Sequence, residues 1–85
     1  MKFEDLEFKP HPSGMGGRQA RHDFENGYGV SVIQGRMFYT NDDDEYEIAI
    51  MKDGDLTYDT YITEGVLGYQ TVEDINKVLK QVEEL

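Results

Sequence analysis

The chain has 85 residues, enough for one domain that buries roughly 60–65% of the surface exposed by its unfolded form. It has no cysteine, which excludes disulfide staples and thiolate metal sites and fits a reducing compartment. Its formal net charge of −10 opposes direct contact with nucleic-acid phosphates and favours basic protein surfaces.

The charge is divided unevenly. From Met1 to Met37 the basic residues (Lys2, Lys9, Arg18, Arg21, Arg36) equal the acidic ones (Glu4, Asp5, Glu7, Asp23, Glu25) in number. From Phe38 to Leu85 there are thirteen acidic residues against three lysines, which accounts for the whole net charge of −10. Acidic residues follow Phe3 where a signal peptide would need an apolar core, and no apolar run approaches the ~20 residues of a membrane span. The expected setting is cytoplasmic.

In chain order, Leu6 and Phe8 alternate ahead of Pro10 and Pro12, which predicts a short first strand ended by the prolines. Phe24-Glu25-Asn26-Gly27-Tyr28 carries the strongest short hairpin signal, Asn-Gly between alternating segments. A three-residue loop there sets Phe24 against Tyr28, His22 against Val30 and Ala20 against Val32, gathering apolar residues on one face. Gln34-Gly35 predicts a turn into a short Met37–Thr40 segment, and Asn41–Asp44 a loop before a strand from Glu45 to Met51. Lys52-Asp53-Gly54 repeats the hairpin device. By the same criterion of one apolar face, a three-residue loop is expected, with Ile50 opposite Leu56 and Ile48 opposite Tyr58. A two-residue loop would set Ile50 against Thr57 instead.

Tyr61 to Gln70 reads as irregular, with Ile62, Val66 and Leu67 tucked beneath it. Thr71 to Leu85 reads as a helix. Thr71 is a good N-cap, and Glu73 and Asp74 sit where the helix dipole favours negative charge. At about 100° per residue, Val72, Ile75, Val78, Leu79, Val82 and Leu85 share an arc of roughly 140°. The predicted fold class is α+β in a single domain, residues 1–85: an antiparallel sheet of four to five strands built from two Gly-turn hairpins. The C-terminal helix is expected to cover one face.

Five features suggest sites. Gly14, Gly16 and Gly17 with Arg18 and Arg21 form the only cationic segment and could cradle an anion such as a phosphate. Neither the Walker pattern nor the dinucleotide fingerprint is present, and a plain loop before a hairpin is the simpler account. Asn41, Asp42, Asp43, Asp44 and Glu45 cluster carboxylates, but with Asp42 in first position Glu47 falls where a calcium loop needs glycine. His11 and His22 lack two further ligands for zinc. Ser13 and Ser31 stand in no nucleophile elbow, so neither catalysis, a metal nor a cofactor is expected. The last feature is the set of six tyrosines, of which Tyr28 and Tyr58 read as core. Tyr39, Tyr61 and Tyr69 are free to join the acids in a contact surface.

The segments Phe8-Lys9-Pro10-His11-Pro12-Ser13-Gly14, Asn26-Gly27-Tyr28-Gly29, Tyr46-Glu47-Ile48-Ala49-Ile50 and Leu56-Thr57-Tyr58-Asp59-Thr60 resemble small acidic bacteriophage-encoded proteins of unassigned function. The likeness extends through Gly16-Gly17, Gln19-Ala20, Ser31-Val32-Ile33 and Gly68-Tyr69, over nearly the whole chain. Similar sequences have proline after Tyr-Asp-Thr, where this one has Tyr61. The resemblance supplies no catalytic motif and implies a setting, the cytoplasm of an infected or lysogenic bacterium.

The expectation is therefore a non-enzymatic protein that binds a basic protein surface through Tyr39, Asp42, Asp43, Asp44, Glu45, Tyr61 and Tyr69. A phosphate or nucleotide binder using Gly14–Arg21, and a self-assembling structural protein, are the alternatives. An exposed apolar patch on the sheet face away from the helix would mark an interface.

Overall fold

A short 3-10 turn, Phe3–Asp5, precedes six strands and one helix in the computed structural model, which describes residues 1–10, 12, 17–35, 46–57, 60–62 and 66–85. The strands are β1 (Lys9–Pro10), β2 (Arg18–Asp23), β3 (Tyr28–Gln34), β4 (Tyr46–Lys52), β5 (Asp55–Leu56) and β6 (Val66–Gln70), and the helix is α1 (Val72–Glu83). All strand pairs are antiparallel, in the order β1-β2-β3-β4-β5, with β6 also on β4. β5 pairs with Met51 and Lys52, and β6 with the stretch from Tyr46 to Ala49, so the two lie end to end along one edge of β4.

Alternation places the core. Ala20 pairs with Val32 and His22 with Val30 across β2 and β3; Val30 then pairs with Ile50 and Val32 with Ile48 across β3 and β4. Their side chains share one face. Ile75, Val78, Leu79 and Val82 of α1 join Val30, Val32, Ile48 and Ile50 in a single buried cluster. Each fully buried aliphatic side chain of this kind contributes about 1.5–3 kcal/mol.

Thr71 opens the helix with a capping box: its Oγ1 accepts from the Asp74 N–H at 3.2 Å, and Asp74 Oδ2 accepts from the Thr71 N–H at 3.0 Å. The bonds from Thr71, its backbone first and its side chain second, hold the Asp74 carboxyl below its ordinary pKa. At the other end, Asn26 Nδ2 donates to the Val82 carbonyl at 2.9 Å and to that of Glu83 at 3.3 Å, satisfying carbonyls the helix leaves open. The Asn-Gly turn thus also terminates the helix.

Four expectations are corrected. No ladder forms at Leu6 and Phe8; β1 is Lys9–Pro10, and Pro10 is accommodated because it lies at the sheet edge. Phe8 instead packs with Phe3 and Tyr46, at ring separations of 5.6 and 5.8 Å. Val66–Gln70 is a strand, where irregular chain was expected; Leu67 packs on the core, but Val66 is exposed. Val72, placed in the apolar arc by periodicity, is the first helical residue and exposed.

The fourth correction concerns the second hairpin. Lys52 pairs with Asp55 and Met51 with Leu56, so the loop is Asp53-Gly54 and holds two residues, not three. Both have positive φ, 52° and 89°, as a type I′ turn requires, and its twist matches that of the flanking strands. Turn chemistry outweighs the burial of one leucine. The Met37–Thr40 segment, the Asn41–Asp44 loop and Tyr58 lie outside the described residues.

Candidate protein-contact surface

The two-residue turn decides what the far face of the sheet carries. A one-residue change of register exchanges faces, so Leu56 pairs with Met51 on the side away from the helix and is 49% exposed. Val66 pairs with Ala49 on that same side and is 39% exposed.

Beside it, β6 carries a bulge. Leu67 lies opposite Ile48 and Gln70 opposite Tyr46, so Gly68 and Tyr69 together oppose the single residue Glu47. Tyr69 takes a left-handed backbone, φ 54°, and its side chain is 57% exposed. A non-glycine residue in that conformation costs about 1–2 kcal/mol. Bulges of this kind re-aim a side chain. Tyr61, at 73% exposure, lies in the connection between β5 and β6.

The centre of the far face is closed in a different way. Gly29, Ser31 and Ala49 are buried and small, and Gln19 Nε2 donates to Ser31 Oγ across it at 2.8 Å. The exposed apolar surface is therefore marginal, running along β5 and β6. Asp53 and Asp55 border it at the turn and Glu47 beside the bulge.

Among the residues singled out from sequence, Tyr61 and Tyr69 are exposed, whereas Tyr39, Asp42, Asp43, Asp44 and Glu45 lie outside the described residues. The described carboxylates of the second half are dispersed: Glu73 and Asp74 open the helix, and Glu83 and Glu84 end it. Glu83 lies 3.5 Å from the amino group of Met1.

Of the glycine-arginine segment, Gly14 and Gly16 lie outside the described residues and Gly17 is buried. Arg18 and Arg21 stand three apart in β2, on opposite faces. Arg18 Nε donates to Gln34 Oε1 at 2.8 Å and its Nη2 to Tyr46 Oη at 3.1 Å, with the guanidinium 4.7 Å from the Phe8 ring centre. Arg21 Nη2 approaches the Gly54 carbonyl at 3.4 Å. The two guanidinium groups do not converge.

His22 stacks edge-on with Phe24 at 4.8 Å, and both line a half-open hollow of about 490 Å³ with Asp23, Glu25, Asn26 and Glu83. Among the described residues no group of three or more His, Asp or Glu is placed to hold a metal ion. No helix among them is long and apolar enough to cross a membrane.

Leu56 and Val66 read as core residues by their apolar side chains, yet both are exposed. The available signal was the Asp53-Gly54 pair, whose preference for a two-residue loop sets Leu56 outward. No family model, no curated protein and no solved structure matches the chain.

Proposed function

We infer that this chain is a non-enzymatic, phage-type protein that binds a basic protein surface, using the β5–β6 margin of the sheet. In this reading the helix roofs one face, the two glycine turns fix the hairpins, and the other face meets the partner. Leu56, Val66 and Tyr69 supply apolar area, Tyr61 adds a second aromatic ring, and Glu47, Asp53, Asp55 and the Asp42–Glu45 run supply charge. The observation that carries it is the concentration of exposed large apolar side chains there: Leu56 at 49%, Val66 at 39% and Tyr69 at 57%. The left-handed backbone of Tyr69 adds to it, since strained backbone conformations cluster at functional sites.

The immobilised chain should capture a basic protein from bacterial lysate, and recovery should fall as salt rises. A Leu56→Asp, Tyr69→Ser variant and, separately, Asp42, Asp43 and Asp44 replaced by Asn should each reduce that recovery. Equal recovery by all three proteins would remove the support for this surface. The anion reading has less behind it, because Arg18 is bound to Gln34 and Tyr46. A rise in melting temperature with inorganic phosphate or a nucleotide would revive it.

A further inference from the structure

The outer edge of β2 is only partly occupied. β1 pairs with it at Arg18 and Gln19, and among the described residues no strand lies beside Ala20 to Asp23. The Phe24 N–H donates to the Tyr28 carbonyl of β3 at 2.7 Å, and antiparallel ladders alternate. The even-numbered residues of β2 therefore turn their backbone groups toward β3. Those of Arg21 and Asp23 point outward, and among the described residues no backbone group of the chain bonds to them there.

The geometry points to this edge as the site where a second copy of the chain adds its own β2, antiparallel, about a two-fold axis through His22. Two independent features select that register. The first is length: β1 closes the edge at Gln19, and the Glu25-Asn26-Gly27 turn ends it after Phe24, so the free stretch is Ala20–Phe24 with His22 at its middle. The second is charge. Pairing about His22 sets Arg21 opposite Asp23 of the second copy, twice over, whereas an axis at Arg21 or at Asp23 would set like charges together.

The parity also fits. Arg21 and Asp23 both present outward backbone groups, so each Arg21–Asp23 pair exchanges two N–H···O=C bonds across the axis. Edges are ordinarily protected by charges of one sign, which repel a copy of themselves. This edge alternates Arg21 and Asp23 and is complementary to itself. α1 packs over β3, β4 and β6, and its last residue, Glu83, lines the hollow beside His22, Asp23 and Phe24 at the end of β2. Among the described residues, the contact Arg21 would give up is its 3.4 Å approach to Gly54, a long one.

Sedimentation equilibrium of the full chain at millimolar concentration should show a dimer. Arg21→Asp and Asp23→Arg should each weaken self-association about tenfold, since each turns two attractive cross-strand pairs into repulsive ones. Mixed in equal amounts, the two variants should form a heterodimer, and the double variant should dimerise like the parent. Both side chains are exposed, and melting curves check that each variant folds. As a second measurement, exchange of the Arg21 and Asp23 amide hydrogens should slow as chain concentration rises. A parent chain that stays monomeric, single variants that dimerise unchanged, a mixture that stays monomeric, or amide exchange independent of concentration would each overturn the pairing.

Discussion

The two faces of the sheet are made from alternate residues of the same strands, yet they are filled by opposite means. On the helix side, Val32 and Ile48 have no exposed surface, and neighbouring branched side chains fill the volume between sheet and helix. On the other side the small residues Gly29, Ser31 and Ala49 and the side chain of Met51 are buried, while Leu56 and Val66 stand at the margin with their surface open. The comparison separates residues that hold the fold from residues available to a partner.

That contrast can be tested from its strongest point downward. Ile48→Ala empties the middle of the packed layer and should cost about 2–5 kcal/mol in a denaturant melt. Gly29→Ala tests the closed centre of the other face. Its added carbon would stand 2.6 Å from the His22 carbonyl oxygen, a backbone atom, and a loss of about 1–3 kcal/mol is expected.

At the open margin the sign reverses. Tyr69→Gly relieves the left-handed backbone at an exposed side chain, and a net gain of about 0.5–1 kcal/mol should raise the melting temperature. A loss of more than that would place Tyr69 among the packing residues and erase the distinction between margin and core.

The smallest effect concerns the helix cap. The Asp74 pKa is lowered by its bonds to Thr71, so its contribution is complete above the unfolded value. It is lost as pH falls through the folded one, a window that opens below about pH 4. Asp74→Asn should flatten that part of the acid-unfolding profile, because it removes the small contribution at neutral pH and leaves stability at the acid limit unchanged.

The helix and the antiparallel sheet were readable in the chain because each has its own period, 3.6 and 2, and because Thr71 marks the helix start. β6 was hidden because the Gly68–Tyr69 bulge breaks its alternation after only two residues. At Asp53-Gly54 two rules conflict: burying Leu56 asks for a three-residue loop, and the turn chemistry, which the fold obeys, asks for two. The Asn26 cap was invisible for another reason. Its acceptors, Val82 and Glu83, lie more than fifty residues away in the chain, and no local pattern announces such a bond. For the contact surface, the exposure of Tyr61 and Tyr69 accompanies their position outside regular alternation, while Leu56 and Val66 resemble core residues by composition alone.

β4 has a consequence for the order in which the molecule comes apart. It is bonded to β3 along one edge and to β5 and β6 in succession along the other. Its amide hydrogens can reach solvent only after a neighbour has let go. Deuterium should therefore enter the rim strands first and the stretch Ile48–Ile50 last, at a rate set by global unfolding.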